Sequence, residues 1–268
     1  MINNFYQNLF LFSLWLYLFA VVFSAARKIW VRIPSKFGIN SFITAFTVHS
    51  AALVSYSVST GQPPLTGLHE YLSVLAWFAS GVFIFFIPAE TKKLSIEYIS
   101  PFAFMIMAAS ELLYSPSTGA MMPALKSYWL IIHVSMAAAA EGCFLVSFVF
   151  SLIVLFSKAG SNSESGINSQ AADSLAYKFA AAGYPLFTIG ALFAGAVWAF
   201  QAWGRFWGWD PKETSAFIVW LSYTFYLHAW KNHNIKGQKA ALINIAAFVL
   251  TLLTIFSSMI FGGLHSYN

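Results

Sequence analysis

Eight long apolar stretches, separated by short polar connections, constrain this chain more than any other feature. They occupy residues 8–25, 41–58, 70–88, 98–114, 128–156, 180–201, 214–230 and 241–262. Most are close to the ~20 helical residues that cross a hydrocarbon core. None shows the period-two alternation of a membrane β-strand, and lipid tolerates only helices or closed barrels. The sequence therefore predicts an all-α, polytopic integral membrane protein with about eight transmembrane helices.

The composition and its distribution support this class. Only 9% of the residues are charged and 59% are hydrophobic, whereas a soluble domain carries about 25% charged residues. No internal repeat or separate soluble domain is evident, which predicts a single integral membrane domain over 1–268. A Ser-, Asn- and Gly-rich stretch, 157–174, is predicted to be a flexible loop. The lone cysteine, Cys143, excludes an intrachain disulfide or a CxxC pair and is expected to be a buried apolar residue.

The basic residues predict the orientation. With eight spans, eleven of the fourteen Lys and Arg residues fall in connections on one side, and three fall on the other: Lys126, Arg205 and Lys212. Because cytoplasmic connections are enriched in Lys and Arg, both termini and the loops 115–127 and 202–213 are predicted to face outward. The net charge of +5 thus reflects contact with a membrane, and we predict no nucleic-acid partner.

A tryptophan-rich segment, WGRFWGWDPKE, occupies residues 203–213 and falls in one of these outward loops. Its aromatic residues and glycines are closely interleaved: Trp203, Gly204, Trp207, Gly208 and Trp209. Trp203 and Trp207 would share a face if the segment were helical, and glycines allow a flat partner to approach closely. Asp210 and Pro211 are typical of a helix start. An interfacial aromatic belt is the simpler alternative, but the density of this segment favours a planar aromatic ligand.

Two histidines are predicted to lie on the same side as this loop. His133 is near the outer start of the fifth span, and His265 lies just past the outer end of the eighth. A single interfacial histidine is more often structural, but two that bracket an indole-rich loop could supply both axial ligands of a haem iron. A third, His228, lies within the seventh span near the inner side, where an ionisable side chain is expensive and usually functional.

The Trp-rich segment resembles the WWD family of haem-handling cytochrome c biogenesis proteins. The form WGWDPKET, with Tyr226-Leu227-His228 and the closing Gly-Leu-His-Ser-Tyr of 263–267, is similar to the CcsA (ResC) branch. The resemblance is strong over 195–268, a haem-handling core region, and weak over 61–77. It implies that His133 and His265 ligate external haem iron and that His228 ligates a second haem within the membrane. The implied haem-binding residues also include Trp203, Trp207, Trp209, Gly204, Gly208, Asp210 and Arg205. By charge complementarity, Arg205 and Lys212 are the outward cations suited to haem propionates, although contact with lipid headgroups is an alternative.

The resemblance implies a function as well. We expect haem b to be a transported substrate, presented for covalent attachment to apocytochrome c carrying a Cys-x-x-Cys-His motif. The chain would be one subunit of a cytochrome c synthase, acting mainly by positioning haem, with a CcsB (ResB)-like membrane subunit as its partner. The membrane would be the bacterial cytoplasmic membrane or the thylakoid membrane. Two alternatives are a membrane haem-b electron-transfer subunit and a haem exporter for another recipient.

The sequence does not assign a role to several polar residues in the spans. The second ligand of the intramembrane haem is either His49 or a residue of the partner subunit. A structural role, such as a helix-contact hydrogen bond, is the favoured interpretation of His49. Roles remain open for His69, Glu70, Glu111 and Glu141.

Overall fold

The computed structural model describes residues 4–29, 34, 36–65, 67–113, 126–157 and 167–264. These residues form helices joined by short connections, without a strand. The helices are α1 (Asn4–Ile29), α2 (Lys36–Thr60), α3 (Leu68–Phe86), α4 (Ala89–Leu113), α5 (Tyr128–Phe156), α6 (Ser169–Phe187), α7 (Gly195–Trp203), α8 (Pro211–Asn232) and α9 (Gln238–Phe261). A π-helical segment, Thr188–Ala194, joins α6 to α7.

The helices confirm the prediction of a polytopic membrane protein. The described residues contain seven helical rods long and apolar enough to cross a membrane, and α6, the π-helical segment and α7 together form one of them, Ser169–Trp203. The eighth rod, α8, has 22 residues, enough for about 33 Å at 1.5 Å per residue. It is less apolar than the other seven.

The predicted boundaries differ most from the structure at the starts of α4 and α6. α4 begins at Ala89 rather than 98, because a helix can continue through polar residues beyond its apolar stretch. α6 begins at Ser169, so the prediction of a loop through 174 is wrong for its last residues. The side chain of Asn168 caps α6 by accepting the backbone N–H of Gln170 at 2.8 Å, and this cap starts the helix early.

The chain divides into two compact units. Unit 1 consists of Met1–Met121 and Ser165–Ile167, and unit 2 consists of Met122–Glu164 and Asn168–Asn268. Unit 1 thus contains α1 to α4, and unit 2 contains α5 to α9. The single integral membrane domain over 1–268 stays a prediction.

In unit 1, α1 contributes one buried stripe to the interior. Its most enclosed residues recur at intervals of four and three: Tyr6, Phe10, Ser13, Tyr17 and Ala20. This spacing is typical of a helix that packs along one face. α2 runs antiparallel to α1, because Ser41 near its start donates to the carbonyl of Leu16, whereas Tyr56 near its end packs on Tyr6.

In unit 2, neighbouring rods run in opposite directions. Ser127, before α5, donates to Gln201 near the end of α7, whereas Ser147, farther along α5, donates to the carbonyl of Ala176 in α6. α9 is also antiparallel to α5, since Gln238 at its start donates to the carbonyl of Leu155, whereas Asn244, farther along, donates to Ser147. The starts of α5 and α8 and the ends of α7 and α9 therefore lie at one end of unit 2, which we call the loop end.

Candidate functional site

The Trp-rich segment is a connection between two helices. α7 ends at Trp203, and Gly204 adopts a left-handed conformation with φ 76°, which glycine tolerates well. Trp203 and Trp207 therefore do not share a helical face. The residues from Gly204 to Asp210 form a loop, which we call the Trp loop, and α8 begins at Pro211.

The predicted helix start at Asp210 is confirmed. The Asp210 carboxylate accepts the backbone N–H of Lys212 at 3.1 Å, and α8 has a capping box. Its second half is Glu213, whose Oε2 accepts the backbone N–H groups of Gly208 at 2.7 Å and Asp210 at 3.2 Å. One carboxylate thus holds the Trp loop against the first turn of α8. The sequence interpretation gave Glu213 no role, although Asp-x-x-Glu before a helix is the signature of this box.

Aromatic rings at the loop end form a graded series from enclosed to exposed. Trp198 is buried at 2% exposure, and Trp203 meets it edge to face with centroids 4.8 Å apart. Trp207 is half-buried and lies 5.8 Å from Trp209 in a perpendicular arrangement, whereas Trp209 is 70% exposed. Trp209 also has a φ of 56°, which is uncommon for a residue with a side chain. The loop therefore presents an indole outward on a firmly packed base.

The two loop glycines serve different purposes. Gly204 allows the left-handed turn, and a Cβ there would meet nothing within 4 Å. At Gly208 a Cβ would lie 2.7 Å from Nε of Arg205, so the guanidinium folds back over this residue. The space that we predicted for a flat partner at Gly208 is taken by the Arg205 side chain, which remains exposed.

His133 lies in the second turn of α5 at the loop end. Its Nδ1 is 2.9 Å from the carbonyl oxygen of Gly190, and because a carbonyl only accepts, Nδ1–H is the donor. In a neutral imidazole the lone pair is then on Nε2. The ring also lies parallel to the indole of Trp198, with 5° between the planes and centroids 6.1 Å apart.

The π-helical segment and two glycines create this environment. The Gly190 carbonyl accepts the backbone N–H of Gly195 in the wide turn, as well as His133. At Gly195 a Cβ would lie 2.9 Å from the His133 ring, and at Gly190 it would collide with Met136 on α5. Sequence reasoning missed both glycines and Trp198. Nothing in the local sequence marks the two glycines, because their role depends on contact with His133 on another helix.

His265 lies outside the described residues, so the distance from His133 to His265 stays a prediction. The preceding residue, Leu264, is described, and its backbone N–H donates to Oδ1 of Asp210 at 2.6 Å. Gly263 makes this approach possible, since a Cβ there would collide with the same carboxylate oxygen. The chain after α9 is therefore attached to the loop end beside the start of α8.

His228 is exposed on α8 and lies about one turn before the helix ends. Its Nδ1 is 2.7 Å from the amide nitrogen of Asn232, and its ring centroid is 5.1 Å from that of His233. His228 thus lies toward the end of α8 that is opposite the Trp loop. The structure places His133 and the Trp loop together and His228 apart from them.

The remaining polar residues fall in the interior of their units. His49 and His69 are fully enclosed in unit 1 and hydrogen-bonded to Ser73 and Tyr6, respectively. Glu141 in unit 2 is buried and is close enough to Lys212 for their charges to interact. Cys143 is buried, as predicted.

Comparison with known proteins gives the family. A family profile described as "Cytochrome C assembly protein" matches residues 2–265, nearly the whole chain. The chain belongs to the cytochrome c assembly protein family. Relatives named "Cytochrome c biogenesis protein CcsA" include one from Solanum lycopersicum, 34% identical, covering 85% of this chain and 84% of the relative. Another, from Synechococcus sp. (strain RCC307), is 30% identical and covers 84% of this chain and 83% of the relative.

A solved structure shares the fold. "Cytochrome c Heme Lyase CcmF" superimposes with a TM-score of 0.74 at 14% sequence identity, covering 94% of this chain and 46% of that one. The chain thus spans about half the length of that protein. At this identity the similarity concerns the fold alone. Together the family and the seven apolar rods show an integral membrane protein of cytochrome c biogenesis.

Proposed function

We propose that this protein binds haem at the loop end of unit 2 and presents it for covalent attachment to apocytochrome c. The observation that carries the proposal is the hydrogen bond from Nδ1–H of His133 to the carbonyl of Gly190. A ligating histidine commonly uses its second ring nitrogen in this way, which sets the tautomer and the ring orientation. Nε2 is then available to iron beside the Trp loop.

His265 is the second axial ligand in this proposal. The N–H of Leu264 is bound to Asp210, and successive Cα atoms are only about 3.8 Å apart. The proposal requires that His265, which follows Leu264 directly and lies outside the described residues, reaches the same end of unit 2 as His133. Asp210 contributes indirectly, because it holds both this segment and the start of α8.

The Trp loop supplies the surface and the charge that haem requires. Trp203 at the end of α7 and Trp207 and Trp209 in the loop offer indole faces and edges to a flat macrocycle, and the left-handed turn at Gly204 separates the first of them from the other two. Arg205, which is exposed, is the cation that we expect to pair with a propionate. Lys212 is less suited to this role, because its charge already interacts with Glu141 and Asp210.

A second haem site at His228 is part of the proposal. The 17 residues from Pro211 to His228 correspond to about 26 Å along α8, so haem would travel most of the membrane thickness between the sites. His49 has no exposed surface and its Nε2 is bound to Ser73. We therefore assign the second ligand of this site to a CcsB-like partner subunit rather than to His49.

In this proposal the protein promotes thioether formation by positioning haem. Haem supplies two vinyl groups, to which the two cysteine thiols of apocytochrome c add as thioethers. His133, His265 and the Trp loop orient the macrocycle so that its edge remains accessible to the incoming peptide. The loop would face the periplasm of a bacterium or the lumen of a thylakoid. Such a chain acts as one subunit of a cytochrome c synthase.

The test uses the full-length protein, co-purified with its membrane partner and loaded with haem. An apocytochrome peptide with Cys-x-x-Cys-His is compared with a peptide in which both cysteines are serine. We expect covalent haem on the cysteine peptide alone, and loss of this product in His265→Ala with partial recovery on addition of imidazole. Transfer of haem without thioether formation would instead support an exporter. Haem retained by the protein in both reactions would support an electron-transfer subunit.

A further inference from the structure

Buried polar side chains form a line through the interior of unit 1 along α1, and we call this line the file. Tyr6, Tyr17 and Ser24 on the buried stripe of α1 are all enclosed, and the 18 residues from first to last correspond to about 27 Å. This length approaches the ~30 Å hydrocarbon core of a bilayer. Tyr17 donates to Ser80 of α3 at 3.1 Å, and Tyr6 bonds to a histidine of α3. Polar groups on this helix thus meet polar groups on its neighbour at successive levels.

The two histidines of the file have different hydrogen bonding. His69 uses both ring nitrogens: Nδ1–H donates to the carbonyl of Ser110 at 3.0 Å, and Nε2 accepts from the hydroxyl of Tyr6 at 2.9 Å. His49 uses one, since its Nε2 lies 2.8 Å from Oγ of Ser73. Within the described part of the chain, Nδ1 of His49 has no hydrogen-bond partner, although the side chain is 0% exposed.

Other buried polar atoms of the file also lack a hydrogen-bond partner among the described residues. Glu111 accepts from Gln7 at Oε1, at 2.7 Å, but its buried Oε2 has no partner among the described residues. The hydroxyl oxygen of Ser24 is likewise buried and unpaired within those ranges. Buried polar atoms are normally satisfied by protein or by ordered water, and a water molecule typically bridges two to four such groups. Orphan atoms at both ends and in the middle of the file therefore indicate sites for water.

The surroundings of His49 favour a proton over a metal ion. Among the described residues no group of three or more His, Cys, Asp or Glu side chains could hold a metal. The titratable groups around the histidines come from four helices: Tyr6 and Tyr17 on α1, Tyr56 on α2, His69 and Glu70 on α3, and Glu111 on α4. Imidazole, carboxyl and hydroxyl groups both accept and donate protons, and chains of them within membrane helices serve as proton relays.

We propose that unit 1 holds ordered water along this file and that His49 is a proton-exchange site which this water reaches. Phe10 packs against both histidines, with ring centroids 6.3 Å from His49 and 5.0 Å from His69. The hydrogen bonds of the two imidazoles go to other residues, so in this proposal a proton moves between their levels through water. The site is separate from the proposed haem site, since every residue of the file belongs to unit 1.

Exchange of the imidazole Cε1–H for deuterium, measured by mass spectrometry on the full-length protein in D2O, tests the proposal without a mutation. Exposed His233, in the connection after α8, is the internal reference for full access to water, and His69 is the reference for a buried ring with both nitrogens engaged. We expect His49 to exchange within about tenfold of His233 and at least about tenfold faster than His69, because opening to water governs such exchange. Exchange of His49 as slow as that of His69 would overturn the proposal.

Glu111→Gln tests the connection along the file. Glutamine keeps an oxygen that can accept from Gln7 but removes the ionisable group, so the packing of α1 and α4 is retained. We expect exchange at His49 to slow severalfold, with no change at His233. An unchanged rate at His49 would contradict a connected relay. Both measurements are made without haem, so their outcome is independent of the haem proposal.

Discussion

His69 in unit 1 and His133 in unit 2 occupy similar positions in the sequence, each near the start of an apolar helix, but their surroundings differ. His69 is 1% exposed and both of its ring nitrogens are hydrogen-bonded within the protein. His133 is half-buried and a backbone carbonyl holds only its Nδ1. A histidine with both nitrogens satisfied stabilises a fold, whereas a histidine with one nitrogen held is oriented for a ligand.

The contrast extends to the backbone around each ring. His69 lies in a regular helix, and its partners come from α1 and α4. His133 faces a π-helical turn with a glycine in van der Waals contact with its ring. Such turns are less stable than α-helix and are often retained at functional sites. The difference suggests which substitutions should affect haem and which should affect only stability.

The largest effect is expected for His133→Ala. Loss of an axial ligand should lower the haem content of the purified protein by about tenfold or more, and added imidazole should restore part of it. The measurement is the ratio of pyridine haemochrome to protein. His69→Ala is the matched variant and should keep its haem within about twofold. Equal losses of haem in the two variants would remove the distinction between the histidines.

Gly195→Ala should have the next largest effect. The added Cβ would lie 2.9 Å from the His133 ring and should push the imidazole from its orientation, lowering haem content about threefold to tenfold. Gly183→Ala is the control, because its Cβ would press on Phe144 of the same helix α5 but not on His133. Both variants should lose about 1–3 kcal/mol of stability by overpacking. Loss of haem in Gly183→Ala as well would indicate a general packing defect.

His69→Ala should reduce stability rather than haem. Removal of the imidazole leaves the hydroxyl of Tyr6 and the carbonyl of Ser110 without this partner, at a cost of about 1–3 kcal/mol. The unfolding midpoint in a denaturing-detergent titration measures this cost. His233→Ala, at an exposed position, should change the free energy of unfolding by less than about 0.5 kcal/mol. An unchanged unfolding midpoint in His69→Ala would show that the hydrogen bonds of His69 do not stabilise unit 1.

The smallest effect is expected for substitutions that remove a helix cap. Asp210→Ala and Asn168→Ala each remove an N-cap in unit 2 and should each cost about 1 kcal/mol. Only Asp210 also accepts the N–H of Leu264, so only Asp210→Ala should lower haem content, by about twofold to threefold. The comparison is made at a temperature well below both unfolding midpoints. Haem loss in Asn168→Ala as well would show that haem binding does not depend on the attachment of the C-terminal segment to Asp210.

Several features followed from local sequence alone. The predicted fifth span, 128–156, coincides with α5, because an apolar run of this length has no other stable arrangement in lipid. The cap at Asp210 and the start at Pro211 were also correct, since capping depends on side chains within one turn. The family similarity was visible in the Trp-rich segment and is confirmed over residues 2–265.

Other features depended on contacts between distant residues. Gly190 and Gly195 are unremarkable in an apolar stretch, and they gain a role only because His133, more than fifty residues earlier, packs against them. Such glycines cannot be interpreted from their neighbours in sequence. Gly208 is a different case: we predicted room for a flat partner there, whereas Arg205, only three residues earlier, folds back over it.

The sequence by itself determined that the chain crosses a membrane as helices and carries a Trp-rich connection, because hydrophobicity, helix length and capping are local properties. Only the tertiary structure decided the hydrogen bonding of His69 and His133. Whether a ring nitrogen is satisfied depends on which carbonyl or hydroxyl another helix brings within 3 Å, as Gly190 is brought to His133 and Tyr6 to His69. That distance is set by packing between helices, which the order of residues along one helix does not specify.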